Sequence, residues 1–168
     1  EKTKLDTLCL AGGVTMNSKM NGRLLTETPF KNVWIPSSAD DAGTSVGACY
    51  YYWNQVLGKE RSFVLGHDYW GPGYSNDQIK AALDDSLVKY EYLDNVEAEA
   101  ARSLASGNVI GWFQGRMEFG PRALGARSIL ADPRRADMKD TLNGRIKRRE
   151  SFRPFAPSVL AERAGDWF

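Results

Sequence analysis

Several kinds of segment are missing from this sequence, and each absence removes a class of function. No run of about 18 apolar residues is present to span a bilayer. The opening EKTKLDTLCLAGG lacks the charged, apolar and small-residue regions of a signal peptide, so neither membrane insertion nor export is expected. Only two cysteines occur, Cys9 and Cys49, forty positions apart in apolar surroundings. They are expected to be buried thiols rather than a disulfide or a metal pair, which suits a reducing cytoplasm. With one histidine, His67, the chain cannot form HExxH, and GxxxxGK[ST], GxGxxG and GxSxG are absent as well. The common routes to nucleotide, zinc and acyl-transfer chemistry are thereby excluded.

What is present is a chain of 168 residues, 42% hydrophobic, enough for one ordinary domain or two small ones. Its formal charge of +1 hides an asymmetry. Residues 1–100 hold 9 Lys/Arg against 14 Asp/Glu, and residues 101–168 hold 13 against 7. The basic final third implies an anionic partner, either the phosphates of a small ligand or a nucleic acid backbone.

TLCLAGG reads as a buried strand entering a glycine turn, followed by a helix over 14–25. NVWIP repeats the strand, SSADDAG the turn, and a second helix is expected over 44–57. Strand, glycine turn and helix in succession indicate an α/β fold. Two such strands cannot close a sheet, so a piece cut from a larger domain is expected. The stretch 61–74 reads as a linker between a unit of residues 1–60 and one of 75–168.

Beyond it, Ser75 and Gln78 make a capping box, and Asp94 and Glu97 repeat the device for a helix that Gly107 ends. NVIGWFQG, RSILAD and FAPSVLA read as strands, with a helix over 136–146 between the last two.

The segment GRMEFGPRALGARSILADPRR places Arg116, Arg122 and Arg127 among Gly115, Gly120 and Gly125. Glycine lets backbone N–H groups approach a ligand, and guanidinium forks match phosphate oxygens. An anion pocket is one reading. The other is a solvated basic loop whose arginines pair with Glu118, Asp132 and Asp137. A second cluster, IKRRESFRPFAPSVL, brings together Lys147, Arg148, Arg149 and Arg153, as an anion site or as a basic helix end facing the negative dipole pole.

Gly12, Gly13 and Asn17 in LAGGVTMN occupy a strand-to-helix turn of the kind that binds phosphate, or that merely turns. Asp40 and Asp41 precede Gly43, where a carboxylate ligates a metal or caps a helix. His67 is read as a surface or packing residue. No RNP, KH or zinc-finger pattern supports nucleic acid as the anion.

Taken in order, LAGGVTMN, SSADDAGTSVGA, GWFQGRMEFGPRALGARSILADPR and NGRIKRRESFRPFAPSVL resemble the carbamoyltransferases of the NodU/CmcH type over nearly the whole chain. The resemblance implies the tail of an actin-like ATPase-type domain in residues 1–60 and a YrdC-like domain in 75–168. It implies that ATP and carbamoyl phosphate form carbamoyl adenylate, and that the carbamoyl group then passes to a hydroxyl of a small-molecule acceptor.

On that likeness Arg116, Arg122 and Arg127 become substrate contacts, and Lys147, Arg149 and Arg153 catalytic ones. Gly12, Gly13 and Asn17 contact nucleotide. Asp41 gives one ligand to a divalent metal, iron or magnesium, held mostly by residues outside this chain. Transfer by this chain alone is not expected. A threonylcarbamoyl-adenylate synthase of tRNA modification and a nucleic-acid-binding module are the alternatives. Acceptor and oligomeric state are not encoded legibly.

Overall fold

A computed structural model of the chain describes residues 3–167. Packing divides it into two compact units. One is the chain through Ala82 together with Phe113–Arg127, and the other is Leu83–Trp112 with the residues from Ser128 onward. This division runs along a different line from the expected boundaries at 60 and 75, because the glycine-rich segment after Phe113 packs with the N-terminal part.

In the first unit β1 (Thr7–Cys9) leads into a 3₁₀ turn (Gly13–Met16), then α1 (Ser18–Glu27) and β2 (Asn32–Trp34). The strands pair in parallel with Leu8 opposite Val33, as a helical crossover requires. The expected helix over 14–25 is split because Asn17 starts a new one: its Oδ1 accepts from the N–H of Met20 at 3.1 Å, satisfying an orphan donor.

Next, α2 (Gly43–Tyr51) loosens into a π-helical stretch (Tyr52–Val56). A methyl group on Gly43 would lie 1.9 Å from the carbonyl oxygen of Ser38, so only glycine permits this helix start. The stretch 61–74 contains no helix or strand, yet it is not a loose tether. The N–H groups of Phe119, Gly71 and Met117 donate to Asp68, Met117 and Pro72 at 2.7, 2.8 and 3.0 Å, zipping it to the glycine-rich segment.

Helix α3 (Asn76–Asp85) starts at the expected capping box. Gln78 N–H donates to Ser75 Oγ at 3.3 Å, and Ser75 N–H to Gln78 Oε1 at 2.9 Å. Helix α4 (Val96–Ala105) is capped one residue later than expected, by Asn95, whose Oδ1 accepts from Ala98 N–H at 3.0 Å.

Strands β3 (Ile110–Phe113) and β4 (Arg127–Leu130) form a second two-stranded sheet, followed by α5 (Met138–Thr141) and a π-helical stretch (Leu142–Lys147). FAPSVLA is not a strand; Pro157 has no N–H to give, and the sheet offers it no pairing. A 3₁₀ turn (Ala161–Asp166) follows it. Phe168, expected to end in a helix, lies outside the described residues.

Helices and small sheets alternate in an α/β arrangement. Among the described residues the buried apolar ones are few, namely Ala39, Ala126, Met138 and Leu142, and the buried polar ones are Thr15, Ser38, Glu118, Asp132 and Asn143. The interior is thus held by hydrogen bonds as much as by apolar contact. Cys9 and Cys49 are exposed rather than buried, because a two-stranded sheet and a single helix leave their outer faces uncovered. Among the described residues no helix is long and apolar enough to cross a membrane.

Candidate functional site

Three loops far apart in sequence meet in the first unit. The N–H of Gly12 donates to the carbonyl of Ala39 at 2.7 Å, joining LAGG to SSADD. Arg122 reaches back from GPRALG, its Nη2 donating to the carbonyl of Met16 at 3.1 Å. Gly120, at φ +122°, lies against Ser37 and Ser38, where a Cβ would meet Ser38 Oγ at 3.3 Å. The buried Thr15 closes the first turn, its hydroxyl donating to Gly12 O at 2.7 Å. Gly12, Gly13, Asn17 and Arg122 therefore share one junction, while Asn17 is the cap described above.

Glu118 fixes the loop that carries Arg122. Only 4% exposed, its Oε1 accepts from the N–H groups of Leu124 and Ala126 at 2.7 and 2.8 Å, and its Oε2 from Arg127 Nε at 3.1 Å. Arg127 Nη2 also donates to the carbonyl of Glu118 at 2.8 Å. Burial pushes this carboxyl's pKa up, but the amides of Leu124 and Ala126 and the guanidinium of Arg127 outweigh it and hold the value at about 2. Arg127 is thus committed to a buried ion pair. Pairing with Glu118 was one of the two sequence readings, but the partner is buried and the loop is not simply solvated.

Arg116 is braced differently. Its Nε and Nη2 donate to the carbonyls of Gly71 and Trp70, both at 3.0 Å, and its guanidinium lies 5.9 Å from the Trp70 ring centroid. The Nη1 group is left over. Arg116 lines an open cleft of about 430 Å³ together with His67, Tyr69, Gln114 and Gly125. His67 stacks on Trp70 with ring centroids 4.9 Å apart, so its packing role is real, but it also faces this cleft.

The second basic cluster is organised in the second unit by Asn143, 1% exposed. Its Nδ2 donates to the carbonyls of Ser151 and Arg153 at 3.2 and 3.0 Å, and its Oδ1 accepts from Arg149 Nε at 2.7 Å. Arg149 also donates to Pro154 O at 3.3 Å and lies 4.7 Å from the Phe155 ring centroid. Arg153 pairs with Glu150 at 2.8 Å on the surface. Lys147 is exposed at the end of the π-helical stretch, before Arg148 turns left-handed at φ 47°. Lys147, Arg149 and Arg153 belong to this unit, whereas Arg116, Arg122 and Arg127 belong to the first.

Asp41 is exposed, and only its backbone carbonyl is engaged, by the N–H and hydroxyl of Thr44 at 3.1 and 2.6 Å. Neither Asp40 nor Asp41 caps α2 through its side chain. Among the described residues no three His, Cys, Asp or Glu side chains cluster so as to hold a metal. Asp41 would supply one ligand at most, so the described residues do not compose a metal centre by themselves.

Sequence reading missed Asn143 altogether and treated Glu118 only as a pairing partner. The one available signal was the NGR and MEFG context, in which a small or acidic residue sits amid glycines and arginines.

Residues 1–50 match the family model of the carbamoyltransferase N-terminus, and residues 101–168 that of the carbamoyltransferase C-terminus. The chain is 51% identical to the protein sll1178 of Synechocystis, over all of this chain and 29% of that protein. It is 44% identical to nodulation protein NolNO of Sinorhizobium fredii, over all of this chain and 25% of that protein. Identity to nodulation protein U of Rhizobium fredii is 38%, over 96% of this chain and 26% of that protein. The chain spans under a third of the length of these curated relatives. The N- and C-terminal models of one family, matched in order along the chain, together with these relatives at 38% to 51% identity, establish that it belongs to the carbamoyltransferase family.

Proposed function

We propose that this chain is part of an O-carbamoyltransferase that consumes ATP, carbamoyl phosphate and water to form carbamoyl adenylate, releasing pyrophosphate and phosphate. The carbamoyl group then passes to the hydroxyl of a small acceptor and AMP leaves. The observation that carries this reading is the junction of LAGGVTMN, SSADD and GPRALG, held by the 2.7 Å bond of Gly12 to Ala39 and the 3.1 Å bond of Arg122 to Met16. A polyphosphate chain demands cations beside close-approaching backbone, and this junction offers a guanidinium next to a glycine turn.

In this reading Gly12, Gly13 and Asn17 face nucleotide, and Arg122 bridges the nucleotide turn to the arginine-rich loop. Arg127 keeps that loop in shape, and Arg116 contacts carbamoyl phosphate. Lys147, Arg149 and Arg153 neutralise charge in adenylate formation. The assignment of an actin-like character to 1–60 and a YrdC-like one to 75–168, and of one metal ligand to Asp41, comes from the family. Cytoplasmic location follows from the same reading.

The test is release of pyrophosphate from ATP by a longer protein containing this sequence, with carbamoyl phosphate supplied, and loss of that release in Arg122→Ala. Consumption of threonine and bicarbonate in place of carbamoyl phosphate would transfer the reading to a threonylcarbamoyl-adenylate synthase. Tight, salt-sensitive oligonucleotide binding without nucleotide affinity would replace it with a nucleic-acid module.

A further inference from the structure

Asn143 is the largest completely buried side chain among the described residues, and the proposed function gives it no part. Its polar groups are engaged by the segment that follows it. Nδ2 donates to the carbonyls of Ser151 and Arg153 at 3.2 and 3.0 Å, Oδ1 accepts from Arg149 Nε at 2.7 Å, and the backbone carbonyl accepts from Arg149 N–H at 3.0 Å. Amid these contacts Arg148 stands at φ 47°, a left-handed conformation that a side-chain-bearing residue keeps only where its surroundings over-determine it. Asn143 supplies that constraint, since it grips residue 149 on one side of the turn by two bonds and residues 151 and 153 beyond it.

The fixed turn has an electrostatic consequence for Arg149. Its Nε and Nη2 donate to Asn143 Oδ1 and Pro154 O, and its guanidinium lies 4.7 Å from the Phe155 ring centroid. All of these partners are neutral. The adjacent carboxylate, Glu150, pairs with Arg153 at 2.8 Å. Arg127, Arg134 and Arg135, by contrast, each pair with a carboxylate, on Glu118, Asp132 and Asp137. A carboxylate in place of the Asn143 amide would hold the same guanidinium, but it would cancel the charge and face two carbonyls without a donor. The amide instead fixes the guanidinium along two edges and leaves its charge and Nη1 for an anion.

We infer that Asn143 is a positioning residue for adenylate formation, which orients the Arg149 guanidinium so that its charge meets the reacting phosphoryl groups already in place. The inference rests on the proposed function, which gives Arg149 a part in that step and Asn143 none. It also sets Arg149 apart from Lys147, whose exposed ammonium carries charge without that orientation.

The experiment is a double-mutant cycle on pyrophosphate release by the longer protein, with Asn143→Ala, Arg149→Ala and the two combined, at a temperature where each remains folded. Arg149→Ala should lower kcat about 100-fold. Asn143→Ala should lower kcat about tenfold and leave KM for ATP and carbamoyl phosphate within about twofold, the signature of an interaction used in the transition state. With Arg149 already replaced by alanine, the same substitution should lower kcat by no more than about twofold, because its effect passes through the guanidinium. Added ethylguanidinium should restore Arg149→Ala roughly tenfold and leave the double variant unrestored, since Asn143 Oδ1 is part of the seat. Arg149→Lys keeps the charge but not the two-edged grip, and should be about as slow as Arg149→Ala.

Equal losses from Asn143→Ala with and without Arg149, restoration of the double variant by ethylguanidinium, or full activity in Arg149→Lys would each overturn the inference and leave the proposed reaction standing. If Asn143→Ala does not fold, Asn143→Ser takes its place in the cycle with the same expectations, because its hydroxyl still satisfies one carbonyl but is too short to reach Arg149. Absence of pyrophosphate release from the unaltered longer protein would overturn the proposed reaction itself, and the inference with it.

Discussion

The two arginine-rich loops are held by different chemistry. In the first unit the loop 118–127 closes on a buried carboxylate, Glu118, which gathers the N–H groups of Leu124 and Ala126 and the guanidinium of Arg127. In the second unit the segment 149–153 closes on a buried neutral amide, Asn143, which gathers two carbonyls and the Nε of Arg149. An anion organises donors and needs a cation to remain buried, whereas an amide organises donors and acceptors together and needs none. The first loop therefore commits an arginine to its own architecture through charge. The second engages Arg149 through neutral acceptors, Asn143 Oδ1 and Pro154 O, and leaves Lys147 outside the arrangement.

The comparison breaks most severely at Glu118. Replacing it with alanine strands two amide donors and a guanidinium, and should cost about 3 kcal/mol or more in urea unfolding. Asn143→Ala, which strands two carbonyls and one Nε, should cost about 2 kcal/mol. Equal losses would mean that charge is not what separates the loops. Glu118→Gln should fall between, because one oxygen still serves the amides while the ion pair is lost.

Acid sharpens the same contrast. Glu118 sits at about 2 in the folded chain against an ordinary 4.5, so the unfolded chain binds its proton first. Its stabilisation is complete above pH 4.5 and is lost as pH falls toward 2, amounting to roughly 3 kcal/mol over that window. Unfolding midpoints should fall with pH in the native chain and fall less steeply in Glu118→Gln. A slope remains in the variant, because Asp132 is also held at about 2, by the side chain and backbone N–H of Arg134. An unchanged slope in Glu118→Gln would show that its carboxylate is not the titrating group. Asn143→Ala should leave the slope intact.

Gly43 tests the junction rather than a loop. Gly43→Ala drives a methyl group into the Ser38 carbonyl at 1.9 Å, and the turn beneath Gly120 must move. A loss of about 2 kcal/mol is expected, with reduced hydrogen-exchange protection of Gly12 N–H, whose acceptor Ala39 follows Ser38.

Much of the local structure was legible because it depends on neighbours in sequence. The capping box at Ser75 and Gln78, the glycine turns and four of the expected strands follow from side chains within four residues of each other. The miss at Asp94 is of the same kind: Asn95 competes for the same cap and wins by one position. FAPSVLA has strand propensity, but a strand exists only where another accepts its hydrogen bonds, and that partner is not a local property. Cys9 and Cys49 look buried by their neighbours, yet burial depends on what covers the strand that carries the one and the helix that carries the other.

The site shows the same limit. The arginines were visible as a group, but which of them faces ligand depends on where Glu118, Asn143 and the carbonyls of Trp70 and Gly71 lie. Arg116 and Arg127 are eleven positions apart with similar surroundings in sequence, and only folding commits one to a buried carboxylate and sets the other at a cleft.

The smallest effect is expected at Arg153, and it is informative for that reason. Its pair with Glu150 is 2.8 Å long, but both side chains are about half exposed, so solvent screens the attraction and the entropy of holding two long side chains offsets it. Arg153→Ala should change stability by no more than about 0.5 kcal/mol, because Asn143 grips the backbone carbonyl of residue 153 and not its guanidinium. Pyrophosphate release by the longer protein is then a clean readout: a large loss of activity with stability unmoved assigns the guanidinium to ligand. Unchanged activity returns Arg153 to the surface pair and leaves Lys147 and Arg149 to neutralise charge in the second loop.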